Sequence, residues 1–210
     1  EPWVPLLSRQ ILNKSNAINV ATFHAKLPEN YTSKALANAV TPYTKSVLKQ
    51  LHVLTAVSEA AAEFVRTLTK QEIIIIPNGV DLGHFVPIQK NPADIKTILY
   101  IGRLETRKGV EYLIKAYDEL RVTHSDVQLV IAGSGVKKRT LEKLVEQYEI
   151  PDVTFLGFVT EEEKLKLLQH ADVYCSPALY GESFGIVLLE AMATGTPIVA
   201  GNNSGYSSVM

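Results

Sequence analysis

The chain has 210 residues, 46% of them hydrophobic, and its 21 Lys plus Arg against 22 Asp plus Glu leave a net charge of −1. That length suffices for one large or two modest domains with a buried core, and the balance of charge excludes the strong basic excess on which general nucleic-acid binding rests. A single cysteine, Cys175, excludes an internal disulfide and reads as a buried thiol in a reducing, cytoplasmic compartment.

Along the chain, short β-branched apolar runs alternate with longer amphipathic ones, the pattern of parallel strands joined by crossover helices. The first strand is expected at residues 19–23, and His24 closes it. Residues 33–51 carry Leu36, Val40, Tyr43, Val47 and Leu51 at near-helical spacing, and Pro42 should kink or restart that helix. A strand at 53–57 follows, then Ser58 as N-cap of an Ala-rich helix, then a strand at 73–77.

The stretch from Asn78 to Pro92 is rich in Gly, Pro and Asn and separates two sets of strand-helix alternation. Beyond it, strands are expected at 97–102, 127–132, 153–156, 173–176 and 197–200. The absence of polar alternation in all eight strands implies burial on both faces. Between them, Val110, Leu113, Ile114 and Tyr117 form one helical apolar stripe, and Leu141, Leu144, Val145 and Tyr148 another. Thr160 with Glu163 reads as a capping box opening a helix through Leu165 and Leu168. The fold class predicted is α/β and doubly wound, in two domains, residues 1–85 and 86–210. The first holds only three strands and the second stops soon after one, so both domains read as incomplete. With no initiator Met, the chain reads as a fragment missing both ends.

The residues that carry chemistry cluster at expected strand ends. Arg103 and Lys108, in Tyr100-Ile-Gly-Arg-Leu-Glu-Thr-Arg-Lys-Gly109, follow the strand at 97–102, where α/β proteins bind ligands. Fixed cations there can stabilise a leaving diphosphate as metal ions would, although a solvated basic loop explains the same residues in isolation. Glu182 and Glu190 lie in the segment Pro177 to Pro197. Gly185 opens its helix, whose free amides can face an anion. Glu182 can accept from sugar hydroxyls and Glu190 can hold a ribose diol. Gly133, in Ala132-Gly-Ser-Gly135, either lets backbone approach a ligand or packs the strand-helix turn.

The order Gly-Arg-x4-Lys-Gly, Ala-Gly-x-Gly, Glu-Ser-Phe-Gly-x4-Glu-Ala-Met-Ala-x-Gly-x-Pro over residues 97–201 resembles glycosyltransferase family 4. The resemblance implies a GT-B fold of two Rossmann-like domains, with residues 1–85 on the acceptor side and 86–210 holding the nucleotide sugar. It assigns Arg103 and Lys108 to the donor diphosphate, Glu182 to the transferred sugar and Glu190 to the ribose. Ser183, Phe184, Gly185, Ile186 and Val187 line the sugar-phosphate site, and the backbone at Gly157, Phe158 and Val159 reads the base.

Glu1-Pro, Ala21-Thr-Phe-His24, Pro42-Tyr43, Ala56-Val-Ser58 and Ile76-Pro-Asn-Gly-Val-Asp81 look like phosphatidylinositol mannosyltransferases and their bacterial relatives. There the matching histidine faces the reaction centre, which makes His24 an acceptor-orienting or catalytic candidate. The implied reaction moves a hexosyl group, with retention, from GDP-mannose or a UDP-sugar to a hydroxyl of a phosphoinositide lipid or another glycan.

No Asp-x-Asp occurs and the five histidines are scattered, so no metal or other cofactor is expected. No run approaches ~18 apolar residues. The resemblance to lipid-modifying enzymes nevertheless points to peripheral contact with the inner face of the cell membrane, while Lys34, Lys45 and Lys49 by themselves read as a solvated face. Two rivals are a GT-B nucleotide-sugar epimerase and a nucleotide-sugar-binding fragment without turnover.

Overall fold

A computed structural model describes residues 7–25, 41–91 and 93–210. The chain divides by its contacts into two compact units, Glu1–Asn78 with Gly181–Gly185 and Asn203–Met210, and Gly79–Tyr180 with Ile186–Asn202.

The first unit contains a three-stranded parallel sheet, β1 (Val20–Phe23), β2 (Val53–Ala56) and β3 (Ile73–Ile75), in that order. Helix α1 spans Leu7–Leu12, residues 41–48 are helical (α2), and α3 spans Glu59–Arg66. Pro42 sits in the first turn of the described part of α2; the expected helix before it, with Leu36 and Val40, lies outside the described residues. Ser58 caps α3, its hydroxyl accepting from Ala61 N at 3.0 Å. The small side chains of Ala60, Ala61 and Ala62 then let α3 pack closely on β2 and β3.

The second unit holds β4 (Lys96–Ile101), α4 (Val110–Leu120), β5 (Val127–Ala132), α5 (Lys138–Gln147), β6 (Val153–Gly157), α6 (Glu161–His170), β7 (Val173–Ser176), α7 (Ile186–Ala193) and β8 (Ile198–Ala200). Its parallel sheet runs β6-β5-β4-β7-β8. The chain winds outward from β4 to β6 and then restarts on the other side of β4, so the strand order reverses between β4 and β7. Ligands of doubly wound sheets bind beyond the carboxyl ends of the strands at such a switch point.

Tyr100, Leu113, Ile114, Tyr117, Leu129 and Ile131 centre the core between β4, β5 and α4. The Tyr117 hydroxyl, buried in that core, reaches the carbonyls of Val127 and Pro151, each at 3.2 Å. All eight expected strands are present among the described residues, and so is the Thr160–Glu163 capping box.

Two expectations are corrected. Burial on both faces fails at the sheet edges: Thr154 and Leu156 of β6 and Val199 of β8 are exposed, because an edge strand has neighbours on one side only. Tyr148 lies at the C-cap of α5, where the chain leaves the helix, and is 58% exposed rather than part of the buried stripe.

Candidate functional site

At the switch point, the loop after β4 rises from Ile101 into a 3-10 turn, Thr106–Lys108, and re-enters α4 at Gly109. Gly109 has φ 67°, and a side chain there would strike the carbonyl of Pro177. The close approach joins this loop to the one after β7, where Leu179 N also donates to Arg107 O at 2.9 Å. Arg103 and Lys108 are thereby carried on a loop braced from both flanks of the switch point. The Arg103 side chain is 67% exposed, and its guanidinium donates to Glu105, 3.0 Å away. Glu105 also accepts from Arg107 Nε at 2.9 Å, so one carboxylate holds two guanidinium groups. Lys108 is half-buried.

Gly133 has φ 142°, and a Cβ there would occupy the position of the Gly102 carbonyl oxygen. The glycine therefore lets the β4 and β5 loops lie in contact. At the end of β6, Gly157 and Val159 are half-buried, while the Phe158 ring is 81% exposed.

On α7, Ile186 is exposed and Val187 half-buried, whereas Glu190 is only 5% exposed. Its Oε1 accepts from Lys164 Nζ of α6 at 2.8 Å, and its Oε2 is buried with no hydrogen-bond partner. Lys164 also reaches Glu161 Oε2 at 2.7 Å, and its ammonium stands 5.4 Å from the centre of the Phe85 ring. Burial pushes the Lys164 ammonium toward lower pKa, but the hydrogen bonds to Glu161 and Glu190 outweigh it and hold the group above the ordinary lysine value. Lys164 was not singled out in the sequence. Its one local signal is its place at the end of a capped first turn; its partner is 26 residues away.

These residues, Arg103, Lys108, Gly133, Gly157, Phe158, Val159, Ile186, Val187 and Glu190, all belong to the second unit. His24, Glu182, Ser183, Phe184 and Gly185 belong to the first. His24 is exposed at the end of β1 and lines a groove of about 370 Å³ with Ile11, Leu12, Thr22 and Leu51. Glu182 and Phe184 are buried. The Ser58 hydroxyl donates to the Ser183 carbonyl, so Ser58 both caps α3 and anchors the segment bearing Glu182. A larger cavity, about 600 Å³, opens near Lys96, Thr97, Gln128 and Asp172 at the amino-terminal edge of the second sheet, opposite the site loops, so size alone does not mark the site. Among the described residues, no helix is long and apolar enough to cross a membrane.

Comparison with known proteins agrees with this architecture. The profile of the glycosyl transferases group 1 matches residues 85–210, and that of glycosyltransferase family 4 matches residues 2–84. The phosphatidyl-myo-inositol mannosyltransferase of Mycolicibacterium smegmatis is 34% identical over 214 residues, covering 100% of this chain and 54% of that protein. The chain thus spans about half the length of the relatives it matches. Sucrose-phosphate synthase from Thermosynechococcus elongatus superposes with a TM-score of 0.79 at 27% identity, over 96% of this chain and 55% of that one. Anabaena Alr3699/HepE, solved with UDP and glucose, superposes at 0.72 and 20% identity, over 91% of this chain and 55% of that one. The fold class is α/β of the GT-B type.

Proposed function

From the premise that this chain belongs to the glycosyl transferases group 1 family, we propose that it moves a hexosyl group from a nucleoside diphosphate sugar to a hydroxyl acceptor, with retention of anomeric configuration. Residues 86–210 hold the donor and residues 1–85 the acceptor side. The observation that carries this reading is Glu190, a buried carboxylate with one oxygen tied to Lys164 and the other unpartnered. An unsatisfied buried acceptor is costly unless a ligand donor completes it, and a ribose diol offers two hydroxyl donors.

In this reading Arg103 and Lys108 carry the diphosphate charge that grows as the leaving group departs, with no metal ion needed. Arg103 exchanges its contact with Glu105 for the diphosphate. The backbone at Gly157, Phe158 and Val159 meets the base, and Ser183, Phe184, Gly185, Ile186 and Val187 line the sugar-phosphate site. Glu182 accepts from the transferred sugar and His24 orients the acceptor.

The donor is GDP-mannose or a UDP-sugar. The similarity to a phosphatidyl-myo-inositol mannosyltransferase supports a phosphoinositide lipid as acceptor; in this reading the protein meets it from the cytoplasm at the inner face of the cell membrane. The solved neighbour with UDP and glucose supports the broader class of nucleotide-sugar donors. Incubating the whole protein with GDP-mannose and UDP-glucose, and with lipid and glycan acceptors, tests the proposal. Formation of an α-linked product from an α-linked donor is expected; bound donor with no product would favour a binding role, and a β-linked product would contradict retention.

A further inference from the structure

We propose that Lys164 is a positioning residue for nucleotide recognition: it fixes the Glu190 carboxylate through Oε1 and thereby presents Oε2 to the ribose hydroxyls of the donor. The inference rests on the reading of Glu190 as the ribose-binding residue and adds to it the group that makes that carboxylate fit for the task.

A glutamate has three rotatable side-chain bonds, and an untethered one has many rotamers to lose when it binds. Lys164 removes that freedom. Its own position is set by three features of the second unit. The capping box at Thr160 fixes the start of α6, and Lys164 N makes a helical hydrogen bond to Thr160 O at 2.9 Å. Glu161 holds the ammonium from the solvent side at 2.7 Å, and the Phe85 ring stands 5.4 Å away. With these partners the ammonium is held at Glu190 and is not spare to serve as another diphosphate cation.

The pairing also has an electrostatic consequence. A lone carboxylate in a site that receives a diphosphate would repel it through a low-dielectric medium, and the neighbouring ammonium cancels that repulsion. The ion pair uses only one of the two oxygens: Glu190 Oε2 is buried with no protein hydrogen-bond partner, and a ribose hydroxyl would supply the donor that completes it. With Lys164 on one oxygen, the other has a fixed direction and remains the acceptor of an ionised carboxylate, which is what discrimination between ribose and deoxyribose requires.

The test is calorimetric titration of the protein with GDP, UDP and their 2′-deoxy and 3′-deoxy forms, with the melting temperature of every sample recorded. The unaltered protein is expected to prefer the ribonucleotide by on the order of ten- to hundredfold, the worth of a hydrogen bond to a charged group. Glu190→Gln and Lys164→Met should each reduce that preference to within about twofold, with the double variant no worse than either single one. Lys164→Arg, which keeps the cation, should retain most of it. A merely structural lysine would lower the melting temperature and leave the preference intact. Should Lys164→Met fail to fold, Lys164→Gln replaces it in the same comparison. Loss of the preference in Glu190→Gln but not in the Lys164 variants would overturn the role of Lys164 alone. Retention of the preference in Glu190→Gln would overturn the ribose reading of Glu190 and the inference with it.

Discussion

Lys164 Nζ and Glu190 Oε1 lie 2.8 Å apart, joining α6 to α7 across 26 residues of sequence. Both side chains are largely withdrawn from water, with relative exposures of 12% and 7%. Removing one partner of a buried pair strands the other as an uncompensated charge, a larger loss than the pair's net worth. Lys164→Met is therefore expected to cost about 3 kcal/mol in urea unfolding, and Glu190→Gln, which leaves the Lys164 ammonium its bridge to Glu161, distinctly less. A loss below about 1 kcal/mol in Lys164→Met would mean that the pair behaves as a solvated surface bridge.

The alkaline limb of stability should report the same pair. The hydrogen bonds of Lys164 raise its pKa above the ordinary value of 10.5, so its stabilising contribution is complete below that value and disappears as pH rises through the raised one. Burial raises the pKa of Tyr117 above 10.0, and since the unfolded phenol ionises first, folding again loses stability as pH climbs past that value. The melting temperature should fall above pH about 10. Lys164→Met and Tyr117→Phe should each flatten that fall, and an unchanged slope in both would refute the assignment.

Gly133→Ala separates packing from ligand contact. With φ at 142° and the Gly102 carbonyl in the place of a Cβ, alanine must displace the β4 loop. Overpacking of this kind costs about 1–3 kcal/mol, and the strained φ adds to it. The expected result is a lower melting temperature without any nucleotide present; an unaltered one would show that the turn relaxes freely.

Much of this architecture is legible because its signals are local. Short apolar runs mark the strands of β4, β5 and β7, the Thr160–Glu163 spacing marks the start of α6, and the chain order of the motifs marks the switch-point loops. What escapes is tertiary. No spacing rule brings Lys164 to Glu190 or lets Glu105 hold both Arg103 and Arg107. Edge exposure of β6 and β8 depends on strand order, which apolar runs do not encode. Tyr148 keeps helical periodicity up to the residue at which α5 ends, so periodicity alone overstates its burial.

Cys175 should be a poor nucleophile despite being partly accessible. Burial pushes its thiol up to about 11, so at pH 8 only about one molecule in a thousand carries the thiolate. Iodoacetamide should label the folded protein far more slowly than the urea-unfolded chain, and equal rates would show that the burial does not persist in solution.

The donor role of the β4 loop is probed most directly by turnover of GDP-mannose and UDP-glucose by the whole protein carrying Arg103→Ala or Lys108→Ala, with Glu105→Gln as the control that frees Arg103 from its carboxylate. If these cations stabilise the charge developing on the leaving diphosphate, each alanine variant should lose ~2–4 kcal/mol of transition-state stabilisation in kcat/KM for the accepted donor. Glu105→Gln should keep its activity. Unchanged kcat/KM in both alanine variants would contradict the diphosphate clamp.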